Sequence, residues 1–407
     1  MPIAEAKITL RATFNIGQGQ CVSYNCAARE KTFCASIMIK RTSLISIVFF
    51  CVLLSPLVEW ARAEESAKDT TRAQRLGVYP FPIVYYTPET GVAIGAAALY
   101  LYRDSLARPL SRTSDFTFDM TYTLKKQIIA EGNTDYYFFG NDEYRLLANT
   151  AFKIFPNKFY GIGNNVPADS AESYTSRSFL IQIVLYKKIQ SKLNLGPLLR
   201  YESTSIVETD PSGALAPGII PGSKGGFVSG LGFSLNWDSR DNAQATQSGS
   251  LYQVTSIFNR RGIGSDFSYN DFQVDVRHFY ELIPTQILAM QAAVEIIGGT
   301  APFQNLARFG GENLVRGYFD GQYRDHTSLV FQAEYRIPVW WKIGVVAFAG
   351  IGQVAGRVGE WGVNEFKFAG GGGIRYILDA EEHVTLRVDL GFGKNSSGVY
   401  FTSSEAF

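Results

Sequence analysis

Thiols are scarce and confined to one end. The four cysteines are Cys21, Cys26, Cys34 and Cys51, so nothing beyond residue 51 can form a disulfide or serve as a thiol nucleophile. Histidine is nearly absent as well. His278, His326 and His383 stand far apart and no HExxH, CxxC or GxSxG occurs, so each reads as a strand-end or loop polar group. Charged residues make up 18% and the net charge is +1, which gives no reason to expect nucleic acid or a strongly charged partner. Long apolar runs are missing too: past Val58 nothing approaches the roughly twenty residues of a spanning helix. Two glycine clusters fail as nucleotide sites. Gly350-Ile-Gly-Gln-Val-Ala355 is followed by no helical pattern, and Gly370–Gly373 by no Lys-Ser/Thr. No catalytic residue, cofactor or metal site is expected, and the chain reads as non-enzymatic.

What is abundant is glycine (39), phenylalanine (29) and tyrosine (22), with a mean hydropathy near zero. That balance suits strands with one face in lipid and the other in a polar lumen. Val384-Thr-Leu-Arg-Val-Asp-Leu-Gly-Phe392 is the clearest case. Val384, Leu386, Val388, Leu390 and Phe392 share one face, and Thr385, Arg387, Asp389 and Gly391 share the other. An Arg and an Asp within an apolar ribbon are tolerable only on a wet or protein-filled side.

Such alternation predicts strands near 78–86, 91–102, 114–124, 127–138, 143–155, 173–187, 191–203, 225–237, 249–260, 265–280, 285–298, 327–338, 343–355, 366–378, 383–394 and 397–407. The count is sixteen, with fourteen the other even number open; single-chain bacterial barrels use even numbers. The fold class expected is all-β: a transmembrane antiparallel barrel. With both ends of the barrel domain periplasmic, the long connections 204–224, 299–326 and 356–365 fall outside. The Lys187–Ser191, Ile283–Thr285 and Asp379–Glu382 turns fall inside, where turns are short, and Arg103–Thr113 is long for that side. Tyr85-Tyr86, Tyr136–Phe139 and Trp340-Trp341 fit aromatic girdles.

Ahead of the strands, Met38-Ile-Lys-Arg41, an apolar run Leu44–Val58 and Ala61-Arg62-Ala63 have the layout of a secretory signal cleaved after Ala63. Residues 1–37 then read as an upstream extension, 38–63 as the signal, 64–76 as a short periplasmic segment and 77–407 as the barrel.

One segment is more specific than composition: Arg308 to Arg324, RFGGENLVRGYFDGQYR, with Val315-Arg316-Gly317-Tyr318 at its centre. Around it stand Gly230-Leu-Gly-Phe-Ser-Leu-Asn-Trp-Asp-Ser-Arg-Asp241 with the later Gly249, Glu334-Tyr-Arg-Ile-Pro338, Gly370-Gly-Gly-Gly-Ile-Arg-Tyr376 and Leu386-Arg-Val-Asp-Leu-Gly391. In this order the motifs resemble the bacterial surface-antigen superfamily of outer-membrane barrels, which includes the BamA/TamA insertases and the two-partner secretion transporters. The resemblance covers Gly226–Phe407 well and the earlier strands by pattern only. It implies that the 299–326 loop folds back into the barrel and places Arg316 in the lumen. It also implies that the terminal aromatic Phe407 is a barrel-assembly signal, and that the protein assists insertion or translocation of protein or lipid at the outer membrane.

Two departures qualify that. The interval Glu64–Leu76 is too short for the family's periplasmic repeats, so a separate periplasmic partner protein is expected beside a monomeric barrel in outer-membrane lipid. Where the family carries F-x-D-x-G, with an Asp that bonds the loop Arg, this chain has Phe348-Ala-Gly-Ile-Gly352, and Gly350 stands at the Asp position. Alternation puts Glu334 and Asp389 on the lumen side with Arg336, Arg375 and Arg387. Arg316 is therefore expected to pair with Glu334 or Asp389. In the last strand Val399, Phe401 and Phe407 fit a lipid face, but Ser403 and Glu405 share it. Either the end frays or the strand pairs loosely with the first, the seam that such insertases are thought to open. The alternative reading is a passive porin-like channel or structural barrel.

Overall fold

The computed structural model describes residues 77–102, 114–138, 143–167, 169–242, 245–379, 384–403 and 405–407. The predicted signal, its Ala61 and Ala63, the 64–76 segment, the Arg103–Thr113 connection and His383 lie outside the described residues. Eighteen strands occur among the described residues: β1 (Gly77–Thr87), β2 (Gly91–Tyr102), β3 (Ser114–Thr123), β4 (Ile128–Phe138), β5 (Tyr144–Phe159), β6 (Glu172–Gln190), β7 (Leu193–Thr209), β8 (Gly225–Asp238), β9 (Gly249–Asn259), β10 (Ser268–Ile283), β11 (Gln286–Thr300), β12 (Ala307–Phe309), β13 (Tyr323–Asp325), β14 (Thr327–Trp340), β15 (Ile343–Ala355), β16 (Lys367–Asp379), β17 (Val384–Gly393) and β18 (Ser396–Ser403). Sixteen of them close into an antiparallel barrel in which each strand pairs with its neighbour in sequence, β11 with β14, and β18 with β1. The two others, β12 and β13, pair with each other inside the loop between β11 and β14. Their three residues apiece are too few for alternation to announce them.

Burial in the wall is inside-out relative to a water-soluble protein. On β17, Val388, Leu390 and Phe392 are exposed to the surroundings while Arg387 and Asp389 are buried, 2% and 0% exposed. Only a wall with lipid outside and a packed interior accommodates that arrangement. Trp340 and Trp341 project from the β14–β15 turn, with the Lys342 ammonium 5.6 Å from the Trp341 ring. Lys192 lies against Trp237 and Lys187 against Tyr144 at the same end, a girdle in which ammonium groups reach past aromatic faces. This end, where β1 begins and β18 finishes, is the lower end below.

The upper end is taller and capped. β5, β6 and β7 have 16, 19 and 17 residues, more than the roughly 9–11 that a membrane strand requires. The expected 204–224 connection is shortened to 210–224 because Thr209 still pairs with Tyr174. Phe159, Tyr174 and Val228 near the strand tops pack with Leu215 and with Phe303 and Leu306 of the β11–β14 loop in one buried cluster. Phe303 meets Phe159 edge-on at 5.0 Å and Tyr174 at 5.3 Å.

The last strand departs from expectation. β18 ends at Ser403 rather than 407, and Phe407 does not face lipid: it is 8% exposed, inside the barrel, packed with Phe279, Ala289 and Ile287. The physical reason lies on the facing strand. Among the described residues β18 and β1 share a single register pair, Tyr86 with Phe401; carried downward, that register puts Glu405 opposite Pro82 and Phe407 opposite Pro80. β2 pairs along all of β1, so each proline nitrogen must face β18, where it has no hydrogen to donate. Continuing in the wall would also turn the Glu405 carboxylate toward lipid.

Phe303→Ala should remove about 3–5 kcal/mol of local packing. The barrel is expected to keep its heat-modifiable migration while amides of residues 301–309 exchange faster; unchanged exchange would show that the cap does not depend on this ring.

Candidate functional site

The β11–β14 loop enters the lumen as a folded unit. Ala307–Phe309 pairs with Tyr323–Asp325, and Arg308 reaches Asp320 at 3.1 Å. The Gly310 amide then donates to the Leu314 carbonyl (3.0 Å) and the Gly311 amide to the Tyr318 carbonyl (2.9 Å), forming a tight tip that carries Val315 to Tyr318. Val315 has a φ of 56°, a costly conformation for a β-branched residue. It is held there by burial and by its amide, which donates to Gln332 Oε1 at 3.2 Å.

Gly317 and Gly391 let two backbones touch. A Cβ on Gly317, whose φ is 119°, would sit 2.9 Å from the Phe392 backbone, and one on Gly391 would sit 2.7 Å from the Arg316 carbonyl carbon. The loop tip therefore lies directly on β17. The Gly317 amide donates to the Tyr400 hydroxyl (3.0 Å), and the Tyr318 hydroxyl donates to the Phe368 carbonyl (2.9 Å). Above them the Asp320 amide donates to Glu89 Oε1 (2.7 Å) in the β1–β2 turn. Burial pushes the Glu89 carboxyl up from its ordinary value, with that amide bond acting in the opposite direction.

This placement delivers Arg316 to the centre of a charged cluster. Its guanidinium bonds Asp389 of β17 and Glu334 of β14 and stacks on Phe348 of β15, 3.6 Å from the ring centre. Arg316 is 2% exposed and both acids 0%. Three wall arginines complete the shell. Arg375 bonds Asp389 (2.6 Å), Glu334 (3.3 Å) and Glu405 (2.8 Å). Arg336 bonds Glu334 (2.8 Å) and lies 3.7 Å from Glu405. Arg387 lies 3.7 Å from Asp389 and 3.5 Å from Glu312. Four guanidiniums thus meet four carboxylates, and the cluster is close to neutral.

Of the residues singled out by sequence, Val315, Arg316, Gly317, Tyr318, Glu334 and Asp389 come together here, and Arg316 takes both candidate acids at once. Gly350 lies beneath the loop: a Cβ there would be 3.6 Å from Val315 Cα and 3.2 Å from Gln332 Cβ. The acid missing at that position is supplied two strands further on, by Asp389. His278 is remote from the cluster on β10, hydrogen-bonded to Ser250, and His326 pairs with its neighbour Asp325. Sequence reasoning missed Tyr400, Gln332 and Glu89. The alternation that sends Val399 and Phe401 outward already places Tyr400 inward, and Gln332 shares parity with Glu334; nothing in sequence marks Glu89.

A family model, the Omp85 superfamily domain, matches residues 105–382, well over half of the chain. This chain belongs to the Omp85 superfamily. It is an outer-membrane β-barrel, of a family that is generally non-enzymatic. Among solved structures it is similar to BamA from Haemophilus ducreyi lacking POTRA domains 1-3, with a TM-score of 0.57 and 12% identity over 81% of this chain and 70% of that one. It is also similar to CdiB from Acinetobacter baumannii, with a TM-score of 0.53 and 12% identity over 82% of this chain and 60% of that one. At that identity the likeness is one of fold. No curated protein matches the chain.

Glu334→Ala would leave Arg316, Arg336 and Arg375 short of one shared carboxylate, at a cost of about 3–5 kcal/mol. The expected readout is a lower temperature for loss of heat-modifiable migration, partly restored by adding Arg316→Ala. A double variant no more stable than the single would show that the two residues are not energetically coupled.

Proposed function

We propose that this Omp85 barrel is a loop-plugged conduit that assists insertion or translocation of protein or lipid at the outer membrane, working with a separate periplasmic partner that presents the cargo. The observation that carries the reading is the burial of Arg316 between Glu334 and Asp389, which anchors a loop inside a barrel whose closing pair, β1 and β18, is joined at one register position. A loop held by buried ion pairs across the lumen suits a conduit that must stay shut between events, because a removable plug keeps the permeability barrier intact. The weak β1–β18 junction supports lateral passage, since the one position paired among the described residues is far less costly to separate than the ten or more that join most neighbours.

Planar-bilayer recording tests this. The intact barrel is expected to show small, intermittent conductance, and Arg316→Ala or deletion of 301–326 to raise it severalfold. A large steady conductance in the intact barrel, unaltered by either change, favours the passive channel and overturns the reading. Co-purification of one periplasmic protein from cross-linked envelopes would identify the partner; a barrel recovered alone argues against one.

A further inference from the structure

The Arg316 cluster has a second client. Glu405 belongs to a segment that has left the wall, yet it takes Arg375 at 2.8 Å and lies 3.7 Å from Arg336, while the Phe407 main-chain oxygen accepts from Arg336 Nη2 at 3.1 Å. Ala406 and Phe407 then fill an apolar recess of Phe279, Ala289 and Ile287, on strands β10 and β11. In barrel order, β18 is separated from β11 by four strands and from β10 by five, so the segment runs along the inner face of the wall past β16 and β14.

We propose that residues 405–407 form a strap that keeps the lower β1–β18 seam unpaired from within, and that Arg316 determines whether the strap is held. The argument is charge balance in a confined space. Arg375 and Arg336 divide their bonds between the inner acids, Glu334 and Asp389, and the outer one, Glu405. While Arg316 bonds the inner acids, its two neighbours are free to hold Glu405. With the Arg316 charge removed and the loop, which also carries Glu312, still in place, four carboxylates face three guanidiniums. Arg375 and Arg336 are drawn to Glu334 and Asp389, and Glu405, at the margin, is the carboxylate released. Holding of the strap therefore depends on the Arg316 charge. The strap's alternative place is the wall beside β1, where Pro80 and Pro82 offer no donors, so release does not reseal the seam.

A pair of cysteines reads the strap. With Cys21, Cys26, Cys34 and Cys51 changed to Ala, the variant Ala289→Cys/Phe407→Cys is expected to cross-link in high yield with a short bismaleimide in folded, heat-modifiable barrels. Glu405→Val should lower the yield by about tenfold or more, because it takes from Arg375 and Arg336 the carboxylate that holds the strap. Arg316→Ala, or Arg316→Gln if the smaller residue prevents folding, should do the same, and Arg316→Lys should restore much of it. Arg308→Ala, which loosens the same loop without touching the cluster, should leave the yield as it was. Absence of cross-linking in the parent, or full yield in Glu405→Val, sinks the strap. Full yield without the Arg316 charge, or equal loss in Arg308→Ala, sinks its control by Arg316.

Discussion

A guanidinium removed from water and lipid alike must find carboxylates, and most of the interior of this barrel is arranged around that requirement. Arg316 is brought in by a loop, whereas its acids are fixed on β14 and β17, so the ion pairs join an added element to the wall. Buried pairs of this kind contribute little net stability compared with an apolar core of the same volume, but breaking one from a single side is expensive. The cluster is therefore better understood as a device for choosing one loop position than as a source of stability. Phe348 beneath the guanidinium and Gln332 beside the strained Val315 narrow that choice further.

The same loop spans the weakest line of the barrel from inside. Its tip rests on β17 at Gly391 and bonds Tyr400 on β18, while Asp320 bonds Glu89 beyond the end of β1. Where the described residues of β1 and β18 share one register pair, these contacts tie the two strands through a third party. The upper seam is thus held shut by the loop. The lower seam is held apart by proline on one side and by an inward-turned chain on the other. Both halves depend on the one set of acids around Arg316.

The strands were legible because lipid reverses the usual rule: apolar residues mark the outside, and a charge within the ribbon marks the lumen. Arg387 and Asp389 could be assigned to the interior on that ground alone, and with them the candidate partners of Arg316. The loop was legible through Val315–Tyr318. Phe407 was not, because alternation assigns a face only while the chain stays in the wall, and what ends the wall is on another strand. Pro80 and Pro82 are some three hundred residues away in sequence; their effect on Glu405 becomes visible only when the cylinder closes. The meeting of Gly317 with Gly391 was hidden for a similar reason, since a glycine does not name the backbone it admits.

The position of the second acid shows how far such a site can vary while its physics is kept. With Gly350 on β15 the loop passes close over the strand, and the space a carboxylate would need is taken by Val315 and Gln332. Asp389, two strands away, reaches the same guanidinium from the side. Moving the acid there has a consequence: Asp389 now stands beside Arg375, which would otherwise keep only Glu334 inside, and Arg387, which would have no inner acid at all. Arg375 is in turn the residue that holds Glu405. Shifting one carboxylate from β15 to β17 therefore extends the loop's anchorage into the part of the wall that adjoins the seam. In this barrel, the loop and the junction it spans draw on a common pool of charge.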